Sequence, residues 1–315
     1  MRIQGQDLRL FEFDYDLTWY CFFVNADETI YGRYGGRDAS DPHARISLKG
    51  LRFALEAALE AHKTPPKATP LAGTPVRIEN SPAARRFKGG CIHCHNVNEF
   101  TRADLRTAGK WERDSVWVYP LPENIGITLD VDRGNLIKTV KADSAAAKVG
   151  VKAGDILKKL NGVPIASFGD AIYGLHKAPK SGNIPIAWLN DGKEQTAQLA
   201  VTEGWRKTNI TWRPSMLDIL PSAPFSGDEL KADEKTKLGL TANRAVFRQD
   251  KFVHSTLKAI GIQKDDVIIG IDGKSIDGAM DDFLGYVRRN YLVGDKVTFN
   301  LIRDGKKVDA EMILK

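Results

Sequence analysis

The chain has 315 residues, 42% of them hydrophobic, with a mean hydropathy of −0.31, a profile that suits globular folding and leaves room for two or three domains. Its 46 basic and 40 acidic side chains give a net charge of +6, but they are interspersed, and no basic patch is interleaved with aromatics, so nucleic acid is not an expected partner. No run of about 18 apolar residues offers a transmembrane segment, and three cysteines do not suggest a disulfide scaffold.

Residues 1–63 form a first block. Residues 8–13 and 19–24 read as strands, and 25–28 as the turn into a third strand over 29–34. Leu48, Leu51, Leu55, Ala58 and Leu59 recur at helical spacing, which predicts a helix over 47–62 with Ser47 as its N-cap. Strand, hairpin and closing helix in this order resemble the C-terminal half of a thioredoxin-like domain. The half that would hold the active-site cysteines is absent, and no proline follows Leu17 where that family places a cis-proline. The resemblance therefore implies a partial α/β unit without thioredoxin activity. The first seven residues are polar where a secretory leader would be apolar, so a leader is expected to have been removed or to lie upstream in a longer protein.

Residues 64–88 read as a linker, with Pro65, Pro66, Pro70, Pro75 and Pro82 among small residues. Then comes Cys91-Ile92-His93-Cys94-His95, a C-x-x-C-H. Two thiols at this spacing can each add to a vinyl group of one haem while the adjacent histidine reaches its iron. The string predicts one covalent haem c, anchored by Cys91 and Cys94, with His95 as the iron ligand. Zinc is an alternative, although no second C-x-x-C pair exists and Cys21 lies far upstream. A thiol/disulfide redox pair is another. For the sixth iron position the candidates are His43, His176, Met216 and His254, or none; His62 closes a helix and His93 lies inside the thioether loop. A helix follows over about 99–114, and the segment 89–118 is too short to wrap a haem alone. Trp111, Trp117, Trp205 and Trp212 could supply walls or a seam between domains. Covalent haem implies an extracytoplasmic, periplasmic protein with a redox partner; if the C-x-x-C-H is not haem, a cytoplasmic protein is expected.

From Pro120 onward the chain repeats itself. Residues 144–157 (SAAAKVGVKAGDIL) align with 255–268 (STLKAIGIQKDDVI) at an offset of 111, and the register runs on through Asn161-Gly162 and Asp272-Gly273. Asp191-Gly192-Lys193 and Asp304-Gly305-Lys306 are matching hairpin turns between alternating apolar residues. This pattern resembles the PDZ domain in the form found in bacterial HtrA-type periplasmic proteases. The resemblance covers about 120–203 and 236–315, which sets expected domains at 119–204 and 236–315 joined by a connector at 205–235. It implies that a partner's C-terminal carboxylate is held by the amides of a loop and that the peptide adds as a strand. That loop falls on Asn124, Ile125, Gly126 and Ile127 in the first copy, and on Leu238, Gly239 and Leu240, after Lys237, in the second. The groove helices fall on about 168–176 and 280–288. Each groove could instead be filled by the protein's own chain. No Gly-x-Ser-x-Gly or recognisable Ser/His/Asp framework accompanies these copies.

The expected fold class is therefore α+β multidomain: a partial thioredoxin-like unit, a short haem-binding helical segment and two PDZ-like β-barrel or sandwich domains. The expected function is electron transfer or redox sensing by a c-type haem protein coupled to partner binding. The alternative is a PDZ peptide-binding adaptor in which the C-x-x-C-H is a zinc or a thiol/disulfide site.

Overall fold

The computed structural model describes residues 3–65 and 71–315; Pro66 and Pro70 of the expected linker lie outside the described residues. The chain divides into two units, Met1–Ser215 and Met216–Lys315.

The first unit opens on an aromatic cluster. Strands β1 (Tyr20–Val24) and β2 (Ile30–Gly35) pair as the expected antiparallel hairpin. Helix α1 (Leu48–His62) follows, its first turn capped by Ser47 Oγ, which accepts from Gly50 N at 2.9 Å. Residues 8–13 do not form the expected strand. Asp7 O accepts from Leu10 N and Phe11 N, and the Asp7 carboxylate holds both the backbone and the guanidinium of Arg9, so a local turn outcompetes a ladder. Phe13 then packs with Tyr15, Ile78, Ile92, Val97 and Phe100. Helices α2 (Pro82–Arg86) and α3 (Asn96–Thr107) carry part of this cluster. Helix α3 stops before the expected Asp114 because Gly109 turns left-handed (φ 65°) and Lys110 N closes on Leu105 O.

The rest of the first unit is a barrel-like arrangement of strands β3 (Ile127–Leu129), β4 (Ile137–Val140), β5 (Ile156–Leu160), β6 (Val163–Pro164), β7 (Gly182–Asn190) and β8 (Lys193–Val201). The sheets run β3-β4 and β6-β5-β7-β8, linked by a bridge between Leu136 and Ile156. Helix α4 (Ala145–Lys148) is the short repeat helix, capped by Ser144, and α5 (Phe168–His176) closes the core. Ile125, Ile127, Ile137, Leu160, Leu175 and Ile184 are completely buried there, each stabilising the fold by roughly 1.5–3 kcal/mol.

The second unit repeats this plan in one sheet, ordered β13-β12-β11-β10-β9 and antiparallel throughout. Its strands are β9 (Gly227–Glu229), β10 (Phe247–Gln249), β11 (Val267–Ile271), β12 (Lys296–Arg303) and β13 (Lys306–Ile313). Its helices are α6 (Ala232–Lys237), α7 (Ser255–Ala259) and α8 (Met280–Asn290). Strands β5 and β11 sit at the offset of 111, as the repeat requires. The core is built on Phe225, Phe247, Phe283 and Phe299, with Phe225 and Phe299 edge-to-face at 4.9 Å. Because β9 belongs to the sheet, this repeat begins upstream of residue 236. Both hairpin turns place Asp and Gly at positive φ, 48° and 77° at 191–192 and 49° and 74° at 304–305, the geometry that matches strand twist.

Candidate functional site

In the first repeat, a 3-10 turn at Pro122–Ile125 leads into Gly126, which is left-handed (φ 91°) and so close to Ser144 that a Cβ would come within 2.1 Å of it. Gly126 O accepts from Lys141 N, which sets the register of β3 on β4. Strand β3 has no second neighbour among the described residues, so one edge is the position where a ligand strand would add. That groove is already furnished by the chain itself. On α5, Ala171 and Leu175 face the core, while the adjoining stripe of Phe168, Ile172 and His176 packs beneath Val118, Tyr119 and Leu121. The Tyr119 ring stacks on His176 at 4.0 Å, and its backbone N donates to His176 Nδ1 at 3.3 Å.

The connector pins the covering segment, where Arg213 Nη2 donates to Val118 O at 3.2 Å, and also the end of α5 and the loop. Arg206 donates to His176 O (2.9 Å) and Ala178 O (3.0 Å), and Asn124 Nδ2 donates to Trp205 O (2.6 Å) and Lys207 O (2.9 Å). Burial, then the nearby cations Arg206, Lys177 and Arg213, push His176 down to about 3, so its ring is neutral beneath the tyrosine. The β1–β2 hairpin covers the opposite side of α5. Asp170 accepts from Arg33 N at 2.8 Å, and the Arg33 guanidinium lies 3.6 Å from the Tyr173 ring centroid.

The second repeat is arranged differently. Ser226 O accepts from Asp250 N, as Gly126 O does from Lys141 N, and Phe225 enters the core as Ile125 does. The loop 223–227 therefore occupies the place of 124–127 and leads into β9, which is the edge of its sheet. Met280 N donates to Glu229 Oε1 at 2.6 Å, which sets the start of α8 beside the end of β9. On α8, Phe283 and Val287 are fully buried, whereas Met280 and Leu284 are only half-buried and Arg288 is exposed. No aromatic strap like Tyr119 covers this stripe within the unit's own hydrophobic cluster.

This corrects the expectation for Leu238, Gly239 and Leu240. Their backbone N–H groups donate to the carbonyls of Lys235 and Thr236, closing the end of α6, and so are not free to hold a carboxylate. Leu238 and Leu240 pack on Val246, Ile269 and Ile302 at the outer face of the sheet. There they line a separate cavity of about 550 Å³ with Arg244, Lys274 and Lys307.

The C-x-x-C-H lies in the first unit, just before α3. Its two cysteine thiols and that of Cys21 are free. Cys94, His93, His95 and Cys21 line a cavity of about 510 Å³ walled by the N-terminal aromatics, while Cys91 is not among its lining. Glu99 Oε1 accepts from His95 Nδ1 at 2.7 Å, and Asn96 Nδ2 donates to the other carboxylate oxygen at 2.8 Å. Burial pushes the Cys94 thiol up, the reverse of what a thiol-exchange nucleophile needs. The candidates for a sixth ligand are not in the lining. His43 is exposed, His176 sits under Tyr119, His254 Nδ1 is bonded to Thr256 Oγ1 at 2.9 Å, and Met216 is buried at the start of the second unit.

A groove strand, a left-handed loop glycine and a groove helix define a PDZ domain, and the sequence pattern of that domain matches residues 117–183. The chain is homologous to periplasmic proteases of the DegP family. It is 30% identical over 148 residues to the periplasmic serine endoprotease DegP of Salmonella typhimurium, covering 47% of this chain and 28% of that protein. It is 31% identical over 144 residues to the periplasmic pH-dependent serine endoprotease DegQ of Escherichia coli, covering 46% of this chain and 29% of that protein. The chain thus spans less than a third of the length of these relatives. A solved structure of the serine endoprotease from Yersinia pestis matches at 27% identity, over 33% of this chain and 36% of that one, with a TM-score of 0.26.

These findings overturn the haem reading. The relatives are named as serine endoproteases rather than as haem proteins, and among the described residues no three His, Cys, Asp or Glu side chains converge as a metal site. Haem c and zinc are both withdrawn, as are the iron-ligand role of His95, the anchoring role of Cys91 and Cys94, and the electron-carrier function. No helix of the described residues is long and apolar enough to cross a membrane.

Proposed function

We propose that this protein is an adaptor that captures an extended segment or C-terminus of a partner protein in the groove between β9 and α8, the second repeat serving as its working PDZ domain. The first PDZ domain then acts as scaffold, its groove closed by residues 118–121. The observation that carries this reading is the contrast between two equivalent stripes: Ile172 is 2% exposed beneath Tyr119, while Leu284 and Met280 remain half-buried beside an edge strand. An edge strand offers main-chain hydrogen bonds to any sequence, and the apolar stripe supplies side-chain selection. The loop Asn124–Ile127 would take a ligand only after the Tyr119 segment leaves.

The relatives' names support a location outside the cytoplasm, and the chain's role is recognition rather than cleavage. The β1–β2 hairpin and α1 are the part that resembles a thioredoxin-like unit; in the proposed adaptor the hairpin supports α5, α1 packs on β2, and neither has a redox role. The test is binding of a C-terminal peptide selected from a displayed library on the full chain. Leu284→Lys should weaken it at least tenfold with the melting temperature unchanged, because a charge in the groove removes apolar burial without opening the core. Unaltered affinity in that variant would refute the reading.

A further inference from the structure

The cavity beside Cys94 is separate from both peptide grooves. Its volume, about 510 Å³, falls in the range of small-molecule sites. Its walls are aromatic: Phe11 meets Phe22 edge-on at 5.6 Å, Phe13 stacks on Tyr20 at 5.2 Å, and Trp19 is 44% exposed at the surface. Such walls favour a flat aromatic guest, which gains offset or edge contacts beyond simple area burial. The lining is mostly apolar in area, with several polar side chains among it. Asp16 is already engaged by Arg213, Ser215 and Asn98. The Cys94 thiol, held in its S–H form by burial, acts as an apolar wall.

That leaves His95. Its Nδ1 edge is fixed on Glu99, which is not part of the lining, and Glu99 is itself steadied by Asn96. A carboxylate accepting from Nδ1–H leaves Nε2 with its lone pair and turns it into a hydrogen-bond acceptor. The His93 ring lies parallel at 6.0 Å and forms the other side of the mouth.

We propose that this cavity is a binding site for a flat aromatic molecule bearing a phenolic hydroxyl, with the rings among the N-terminal aromatics and the hydroxyl donating to Nε2 of His95. The probe is 2-naphthol, titrated into the full reduced chain by calorimetry, beside 2-methoxynaphthalene, which has the same rings and no donor. The site predicts saturable one-to-one binding of the naphthol and at least tenfold weaker binding of the ether. A pocket built to bond a hydroxyl discriminates strongly against the analogue lacking it. His95→Phe should reduce the naphthol to the affinity of the ether. In the unaltered protein, saturating naphthol should slow iodoacetamide alkylation of Cys94 and Cys21, which line the cavity, and leave Cys91 unaffected. No saturable binding, equal affinity for phenol and ether, or a Cys94 rate that does not slow would each overturn the proposal. If the His95 variant does not fold, the phenol-ether contrast and the alkylation pattern decide alone.

Discussion

Arg213 shows how single residues fasten the first unit. Its guanidinium is 2% exposed and forks onto Asp14 at 2.5 and 2.8 Å, with Asp16 at 3.2 Å, while Ser215 closes on Asp16. This network ties the residues before β1 to the end of the connector. Removing one partner leaves buried carboxylates without a counter-charge, so Arg213→Met should cost about 3–5 kcal/mol in denaturant unfolding. His176 gives a pH signature. The native ring stays neutral while the unfolded chain takes up a proton below the ordinary value of 6.5, so its stabilising contribution is complete above that pH. It is lost as pH falls toward about 3. Asp170, pushed up to about 6 by burial, acts in the opposite sense, because its ionisation opposes folding as pH rises from the ordinary 3.8. The stability difference between the unaltered protein and His176→Gln isolates the histidine. It should shrink by about 1.4 kcal/mol per pH unit below 6.5, and a constant difference from pH 7 to 4 would contradict the assignment. None of this was legible in the sequence. Asp14 and Arg213 are far apart in the chain, and the chemistry of a C-x-x-C-H depends on which donors the fold brings to it.

At the scale of elements, much was legible where local rules suffice. The helix at Leu48–His62, the Ser47 cap, the first hairpin and the two Asp-Gly turns follow from periodicity, capping and turn chemistry, and the helix at Phe168–His176 from the resemblance to the PDZ pattern. Strand β9 was not legible, because Gly-Asp-Glu has no alternation and pairs only through its backbone with Phe247–Gln249. The sequence Lys-Leu-Gly-Leu at 237–240 imitates a carboxylate loop, yet a helix end consumes its amides. Two substitutions separate these surfaces. Met280→Lys should weaken peptide binding at least tenfold, whereas Leu238→Ser, on the outer face of the sheet, should leave it within about twofold. Calorimetry with one selected peptide measures both.

At the scale of the molecule, the sequence repeat announced two equivalent domains and the structure made them unequal. The first copy is preceded by a segment that lies on its own groove helix. The second is preceded by a loop and a short strand that leave the helix stripe half-buried. Equality of sequence could not reveal this, since the covering residues lie outside the stretches that align between the copies. Under the proposed function recognition falls to the second unit, and hydrogen exchange of the full chain with and without a saturating selected peptide tests this most directly. Recognition by the second unit predicts new protection in the backbone amides of 223–229 and along Met280–Asn290, with Ile127–Leu129 unchanged. Protection confined to Ile127–Leu129, with release of the Tyr119 segment, would contradict it.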